Sequence, residues 1–330
     1  MTLKDIAAEA GVSIATVSKA FKGASDVGED TKERIYAIAK KHGCFHKYYK
    51  ERYEKKVVAV ICHELNSAFY STQLEHIKAY FARRNTDIII STDDFDTDKQ
   101  RELIQFHATL TKVDGIIAFG LSQPLPKGIE VPVVAIGGNR ELSHTDIVRP
   151  NHRKAMFSAV SHLKELGHRD IAFIGEKLTA KYQSSFAYAM ERYDLSNDLQ
   201  IITEARFEEA GLKGIEQLLE KGKPFTAVVC AYDYIAIGAI KALNNHGLRV
   251  PEDISVIGSD NIPTAGHLNK ALTTIDQASP AICDMACSLL LKKMQNKYYC
   301  AGSNIEIDGS LIIRETTGPV KLSKKAQTAE

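Results

Sequence analysis

Residues Leu3 to Lys22 read LKDIAAEAGVSIATVSKAFK, two short helical patterns separated by Gly11 and Val12. Leu3, Ile6, Ala7 and Ala10 recur at i, i+3, i+4 and i+7, the stripe of a helix that buries one face, and Thr2 with Asp5 forms a capping pair at its start. Gly11 stops that helix. Ser13 is a good N-cap for a second one, in which Val17, Ala20 and Phe21 face the first helix while Ile14, Ala15, Ser18, Lys19 and Lys22 point outward. Two helices meeting steeply across so short a turn predict a helix-turn-helix, whose second member enters the major groove of DNA. Helix hairpins with glycine turns also occur in ordinary all-α domains, so the outward face has to decide. It carries small, hydroxyl and basic residues and no glutamate, which suits phosphate contact and close groove approach better than a merely solvated surface.

Charge agrees with that reading. Residues 1–56 hold 12 Lys and Arg against 8 Asp and Glu, whereas the rest of the 330-residue chain holds 30 against 33, so the positive excess lies where DNA would be. A third helical pattern, Glu29 to His42, ends at Gly43, a plausible left-handed cap, and adds Ile35, Ile38 and Ala39 to a small core. No apolar run approaches the roughly 20 residues that span a bilayer, and Lys4 and Asp5 stand where a secretory segment would be apolar. A cytoplasmic protein is expected.

From residue 57 onward apolar strands alternate with amphipathic helices. The runs 57–62, 87–91, 114–119, 131–136, 170–175, 225–230 and 253–258 are short, β-branched and apolar on both faces, as in parallel sheets. Helical patterns at 69–84, 97–111, 152–166, 208–221 and 233–246 complete a βαβ series with helices on both faces of open sheets. Ligands in such sheets bind beyond the carboxyl ends of the strands. Four strands before residue 150 and several after it exceed one compact sheet, so two lobes are expected.

Enzyme signatures are missing from the sequence: there is no GxGxxG, Walker loop, HExxH or GxSxG, and Gly137 with Gly138 reads as a turn. His63 and Glu64 follow the first strand without a third partner and read as surface polar residues. Neither catalysis nor a cofactor is expected. Cys44, Cys62, Cys230, Cys283, Cys287 and Cys300 are scattered, so disulfides are not expected. Cys283 and Cys287 lie at i, i+4 on a helical pattern; with no other ligand nearby at metal spacing, core packing is the reading and no metal site is expected.

The run TLKDIAAEAGVSIATVSKAF, followed by Val27, Thr31 and Arg34, closely resembles the headpiece of the lactose/galactose-repressor family of bacterial transcription regulators. HLKELGHRDIAFIG (162–175) and GLRVPEDISVIGSDNIPTAGHLNKALTTIDQ (247–277) resemble that family's effector-binding core. The resemblance implies a small all-α helix-turn-helix DNA-binding domain followed by an α/β, periplasmic-binding-protein-like (type I) core of two subdomains. It places the headpiece at 1–45, a hinge at 46–56 and the core at 57–319, with a polar tail at 320–330. Subdomain 1 would comprise about 57–150 and 279–307, and subdomain 2 about 151–278 and 308–319. The implied function is sequence-specific repression by a homodimer on pseudo-palindromic double-stranded operator DNA, tuned by a small sugar-like effector in the interlobe cleft and without a membrane partner. The alternative is a cytosolic sugar sensor whose headpiece no longer reads DNA.

In the headpiece, Ile14 and Ala15 are expected at the groove floor, Lys19 one turn on at a guanine edge, Thr2, Ser13, Thr16 and Ser18 at the phosphates, and the outward-facing Lys22 among the DNA-binding residues. The family commonly has Arg at the Lys19 position, and Lys lacks its bidentate fork. Between headpiece and core the family's hinge Pro, Ala and Leu fall on His46, Lys50 and Tyr53. Either Tyr53 or Tyr49 wedges at a base step, or the segment is a flexible tether. For the cleft, resemblance points to Asp260 as the carboxylate toward the ligand, Phe69 and Tyr70 as stacking aromatics, and Gln277 at a crossover. It also places Tyr182 at a customary Arg, Tyr232 at a customary Asn and Pro150 at a customary Asp, and makes Asp233 a helix cap. These departures suit a modified or more aromatic ligand, or a cleft that has lost strong binding.

Overall fold

In the computed structural model, which describes residues 1–48, 55–111, 113–142, 144–296 and 302–321, the opening sequence pattern becomes two helices. Helix α1 (Leu3–Ala10) starts on Thr2, whose hydroxyl accepts from the Asp5 amide while the Asp5 carboxylate accepts from Thr2, and ends at Gly11 with φ 64°. Only a residue tolerant of positive φ turns the chain there without strain. Helix α2 (Ile14–Phe21) begins on Ser13, which accepts from the Thr16 amide at 3.0 Å. Helix α3 (Glu29–Lys41) has acids in its first turn and lysines in its last, matching the helix dipole. Ile6, Val17, Ala20, Phe21, Ile35 and Ala39 are buried together. The short helix α4 (Phe45–Tyr48) straddles the boundary read between headpiece and hinge; Phe45 and Tyr48 join Phe21 and Tyr36 in an aromatic cluster, and Tyr48 donates to the Met1 carbonyl at 2.8 Å. These helices belong to the first of two units, Met1–Lys56; the second is Val57–Glu330.

The second unit runs β1 (Lys56–Cys62), α5 (Ala68–Ala82), β2 (Thr86–Thr92), α6 (Thr97–Phe106), β3 (Gly115–Leu121), β4 (Val133–Gly138), β5 (Asp146–Pro150), α7 (His152–Glu165), β6 (Ile171–Glu176) and α8 (Ala180–Arg192). It continues β7 (Gln200–Thr203), α9 (Phe207–Glu220), β8 (Ala227–Cys230), α10 (Asp233–Asn245), β9 (Ser255–Ser259), β10 (Thr273–Asp276), α11 (Ser279–Gln295), β11 (Asn304–Ile307) and β12 (Ser310–Ile312). Two six-stranded sheets result, ordered β11-β5-β4-β3-β1-β2 and β12-β10-β9-β8-β6-β7. The chain passes between them after Pro150, after Asp276 and after Ile307, and the first and third passages are tied by Asn151, whose amide donates to Ile307 and whose side chain donates to Asp308.

Apolar character on both strand faces has a direct cause in β1. Val58, Val60 and Cys62 pack under α5 and α11, while Ala59 and Ile61 pack on the opposite side with Ile104. The buried, free thiols of Cys283 and Cys287 fill the α11 side of that core, and burial pushes the Cys283 thiol up to about 12. Edge strand β2 is the exception, with Ile89 and Ile90 about two-fifths exposed. Sequence periodicity misses β5, β7, β10, β11 and β12, which are only three to five residues long, and helix α8. In the second sheet's lobe, Gly211 and Gly238 let α9 and α10 touch backbone to backbone: a Cβ on Gly238 would lie 1.9 Å from the Glu208 carbonyl oxygen. That contact fixes α9, and with it the residues at its start.

Candidate nucleic-acid interface and ligand cleft

On α2 the buried face is Val17, Ala20 and Phe21, and the opposite face presents Ile14, Ala15, Lys19 and Lys22 to solvent, with Ser18 and Thr16 half-buried. Ile14 is 48% exposed, an apolar residue at the first position of a helix with no acid in its first turn. An N-terminus of that kind favours phosphate oxygens and admits the side chain to a groove. The hydroxyls differ in availability. Ser13 and Thr16 share a 2.8 Å hydrogen bond, and both Thr2 donors go to Asp5, so those groups are occupied within the helix ends. Lys19 is paired with Asp26 from the turn before α3, both side chains more than half exposed. Tyr53 lies outside the described residues.

The second site lies where the two sheets of the core face each other. Two adjoining cavities of about 100 and 150 Å3 share Phe69, Tyr70 and Tyr182 as walls, the first two from the opening turn of α5 and the third from α8. Asp260 and Tyr232 line the smaller cavity and Gln277 the larger, so all six cleft residues inferred from sequence border one cavity or the other. Asp260 follows β9 with φ 100°, and its Oδ1 has no hydrogen-bond partner among the described residues. Burial, and then the charge of Asp233, drive its carboxyl well above the usual range. Its protonated form, which can donate as well as accept, is thereby favoured. Gln277 at the second passage is 1% exposed and donates to Ser259 at 2.6 Å, while its Oε1 is unpartnered.

Two readings from sequence are corrected. His63 and Glu64 are not surface residues: His63 is held at 2.7 Å by the fully buried Asp93 and stacks on Phe95, and Glu64 meets Arg206 in a two-pronged ion pair at 2.9 and 3.1 Å. Their partners come from loops far along the chain, which no local pattern could show. Asp233 does not cap its helix. Its carboxylate accepts from the Ile262 amide at 2.8 Å and from the Thr274 hydroxyl, so it holds the loop that carries Asp260.

Arg206 was not singled out by sequence, nor were Glu176, Phe95 and Phe207. Arg206 precedes α9 and reaches Glu64 of the first sheet's lobe and Glu176 at the end of β6, with its guanidinium over the rings of Phe95 and Phe207. Burial alone would lower its pKa, but hydrogen bonds to Glu64 and the charges of both glutamates more than reverse that. Phe95, Phe207 and Asp260, all cleft-lining, have positive φ of 63°, 55° and 100°. Such strain in non-glycine residues gathers at functional sites.

Burial also pushes the Asp233 carboxyl up to about 7. An unfolded Asp ionises near 4. Between about pH 4 and 7 the native state therefore binds the extra proton, and this group's contribution to stability falls as pH rises. That difference between folded and unfolded chain corresponds to about 4 kcal/mol. Urea unfolding of wild type and Asp233→Asn at pH 5 and 7.5 is expected to show wild type losing about 2–4 kcal/mol relative to the variant over that interval; a pH-independent difference would refute it.

The profile for bacterial regulatory proteins of the lacI family matches residues 2–45, and that for periplasmic binding protein-like domains matches 160–317. The HTH-type transcriptional repressor CytR of Escherichia coli (strain K12) is 31% identical over 329 residues, covering 96% of either chain. The chain belongs to the lacI family of bacterial regulatory proteins. Among solved lacI-family structures, the lac repressor dimer bound to operator and the anti-inducer ONPF superposes with a TM-score of 0.71 at 24% identity, covering 96% of this chain and 99% of that one. A lacI-family transcriptional regulator from Enterococcus faecium with bound ribose gives 0.71 at 24% identity over 81% of this chain and all of that one. The first of these likenesses extends over nearly the whole chain and the second over about four-fifths of it, and both concern the fold.

Proposed function

We propose that this lacI-family chain is a cytoplasmic repressor, not an enzyme, that reads a pseudo-palindromic operator as a homodimer and releases or tightens its grip when a small effector enters the cleft. The observation that carries the reading is α2, with Ile14, Ala15, Lys19 and Lys22 exposed on one acid-free face. A single headpiece covers little DNA, and two related by a twofold axis double the contacts and fix the half-site spacing. Cleft ligands act on operator affinity only through a preference for one arrangement of the two sheets. Among the described residues no helix is long and apolar enough to cross a membrane. Gel retardation with DNA from upstream of the chain's own coding region is expected to show binding that survives excess random duplex. Cleft-ligand binding without any duplex preference would instead favour a sensor with a silent headpiece.

A further inference from the structure

The two cavities of the cleft differ in charge. The smaller is bordered by Glu64, Glu176 and Asp260, with Arg206 as the shared cation of the two glutamates, whereas Lys181 is the one charged side chain among the described residues lining the larger, which no Asp or Glu borders. Lys181 lies in the first turn of α8, is solvent-exposed along part of its length while lining the cavity, donates to the Gly138 carbonyl at 3.1 Å and meets no carboxylate among the described residues. Its positive surroundings extend beyond the wall. Arg149 and Arg140 approach closely enough to lower the pKa of Lys181, after burial, and the glutamate they share is Glu306.

Backbone contributes in the same sense. His152 is the first residue of α7, Lys181 and Tyr182 belong to the first turn of α8, Ser279 opens α11, and Phe69 and Tyr70 belong to the first turn of α5, so four helices of 13 to 17 residues have their first turns at this cavity. Each N-terminus carries partial positive charge and amides suited to an anion. Two buried polar atoms of the wall have no partner among the described residues: His152 Nδ1, which can donate to an anion, and Gln277 Oε1, which as an amide oxygen accepts from a ligand hydroxyl or N–H instead. Burial, with the charges of Lys181, Arg149 and Arg140, lowers His152 to about 4, so its ring stays neutral near pH 7 and can donate one N–H.

From this geometry we infer that the effector is an anion, a small metabolite whose phosphate or carboxylate group sits at Lys181 and His152 while its hydrogen-bonding end reaches Asp260 past the Tyr70 and Tyr182 rings. The inference rests on the effector-cleft reading above and narrows its ligand class. Lys181 neighbours Tyr182 in sequence, and Tyr182 borders both cavities, so one ligand of modest length engages both ends.

Isothermal titration of the full-length protein with matched pairs tests it: ribose and ribose 5-phosphate, glucose with glucose 6-phosphate and glucuronate, and uridine with its 5′-monophosphate. The charged member of a pair is expected to bind at least tenfold more tightly than its neutral parent. The phosphate and carboxylate arms separate the two anion classes. Lys181→Met is expected to bring that ratio close to one and Lys181→Arg to retain it, in variants whose melting temperatures show that they fold. A neutral parent that binds as tightly as its charged partner, or a preference that survives Lys181→Met, overturns the anionic end and leaves the effector cleft standing. If no member of the panel binds, the cleft reading falls as well.

Discussion

Lys19→Ala is expected to weaken operator binding by about 2–3 kcal/mol, roughly 30- to 150-fold, because the homodimer loses the side chain from both half-sites. One well-placed base contact contributes about 1–3 kcal/mol of discrimination, and a lysine falls toward the lower end because its ammonium lacks the rigid fork of an arginine. Two outcomes separate base reading from mere phosphate contact. If Lys19 reads a base, affinity for the operator falls much more than affinity for random duplex; if it meets only phosphate, both fall together and the salt slope drops by about one per lysine. In the chain without DNA the ammonium is paired with Asp26 across the α2–α3 turn, so reaching a base edge means exchanging that partner. Asp26→Asn is accordingly expected to raise affinity several-fold by releasing Lys19. Fluorescence anisotropy at two salt concentrations checks both variants, and an unchanged ratio of specific to random binding in Lys19→Ala removes Lys19 from the readout.

That helix could be recognised from sequence because everything that shapes it is local. Thr2, Asp5, Gly11 and Ser13 act over three or four residues, and the division of α2 into a Val17–Ala20–Phe21 face and an Ile14–Lys19–Lys22 face is a matter of 3.6-residue periodicity. The central strands were legible for a similar reason, since burial on both faces writes an unbroken apolar run; short edge strands such as β11, with alternating exposure, carry too weak a version of the signal.

Legibility declines sharply in the cleft. Asp260 and Gln277 stand at a strand end and at a passage between sheets, places where a doubly wound sheet holds its ligands. Glu64, Glu176 and Arg206, by contrast, are separated by as many as 142 residues and share no local motif. The one available hint was an arginine and an aromatic directly before a helical pattern with no side-chain cap. Asp233 misled for a physical reason: an acid at the first turn of a helix is the commonest sign of a cap or a dipole contact, and only the tertiary return of residues 260–274 turns it inward instead.

Arg206→Met is expected to destabilise the core by about 2–3 kcal/mol. The Glu64 and Glu176 side chains are 12% and 4% exposed, so removing their common cation leaves two poorly solvated carboxylates side by side. Breaking a fully buried pair costs about 3–5 kcal/mol; the lower figure applies here because the Arg206 side chain is 34% exposed and partly screened. Methionine keeps the apolar stem against Phe95 and Phe207, which confines the change to charge, and Glu64→Gln in the same chain is expected to recover part of the loss by relieving the repulsion. The consequence reaches ligand entry. Arg206 lines the smaller cavity and ties Glu64 of the first sheet's lobe to Glu176 of the second's, so it is a bond that spans the cleft and favours a closed arrangement of the two lobes. If the lost stability belongs wholly to the closed arrangement, the ratio of open to closed rises about 30- to 150-fold. Small-angle scattering of the variant should then give a larger radius of gyration, and ligand association should be faster. Thermal melting places the other side of the question: a variant that melts with wild type, or that loses stability which Glu64→Gln cannot restore, would mean that Arg206 holds its own loop and not the two lobes.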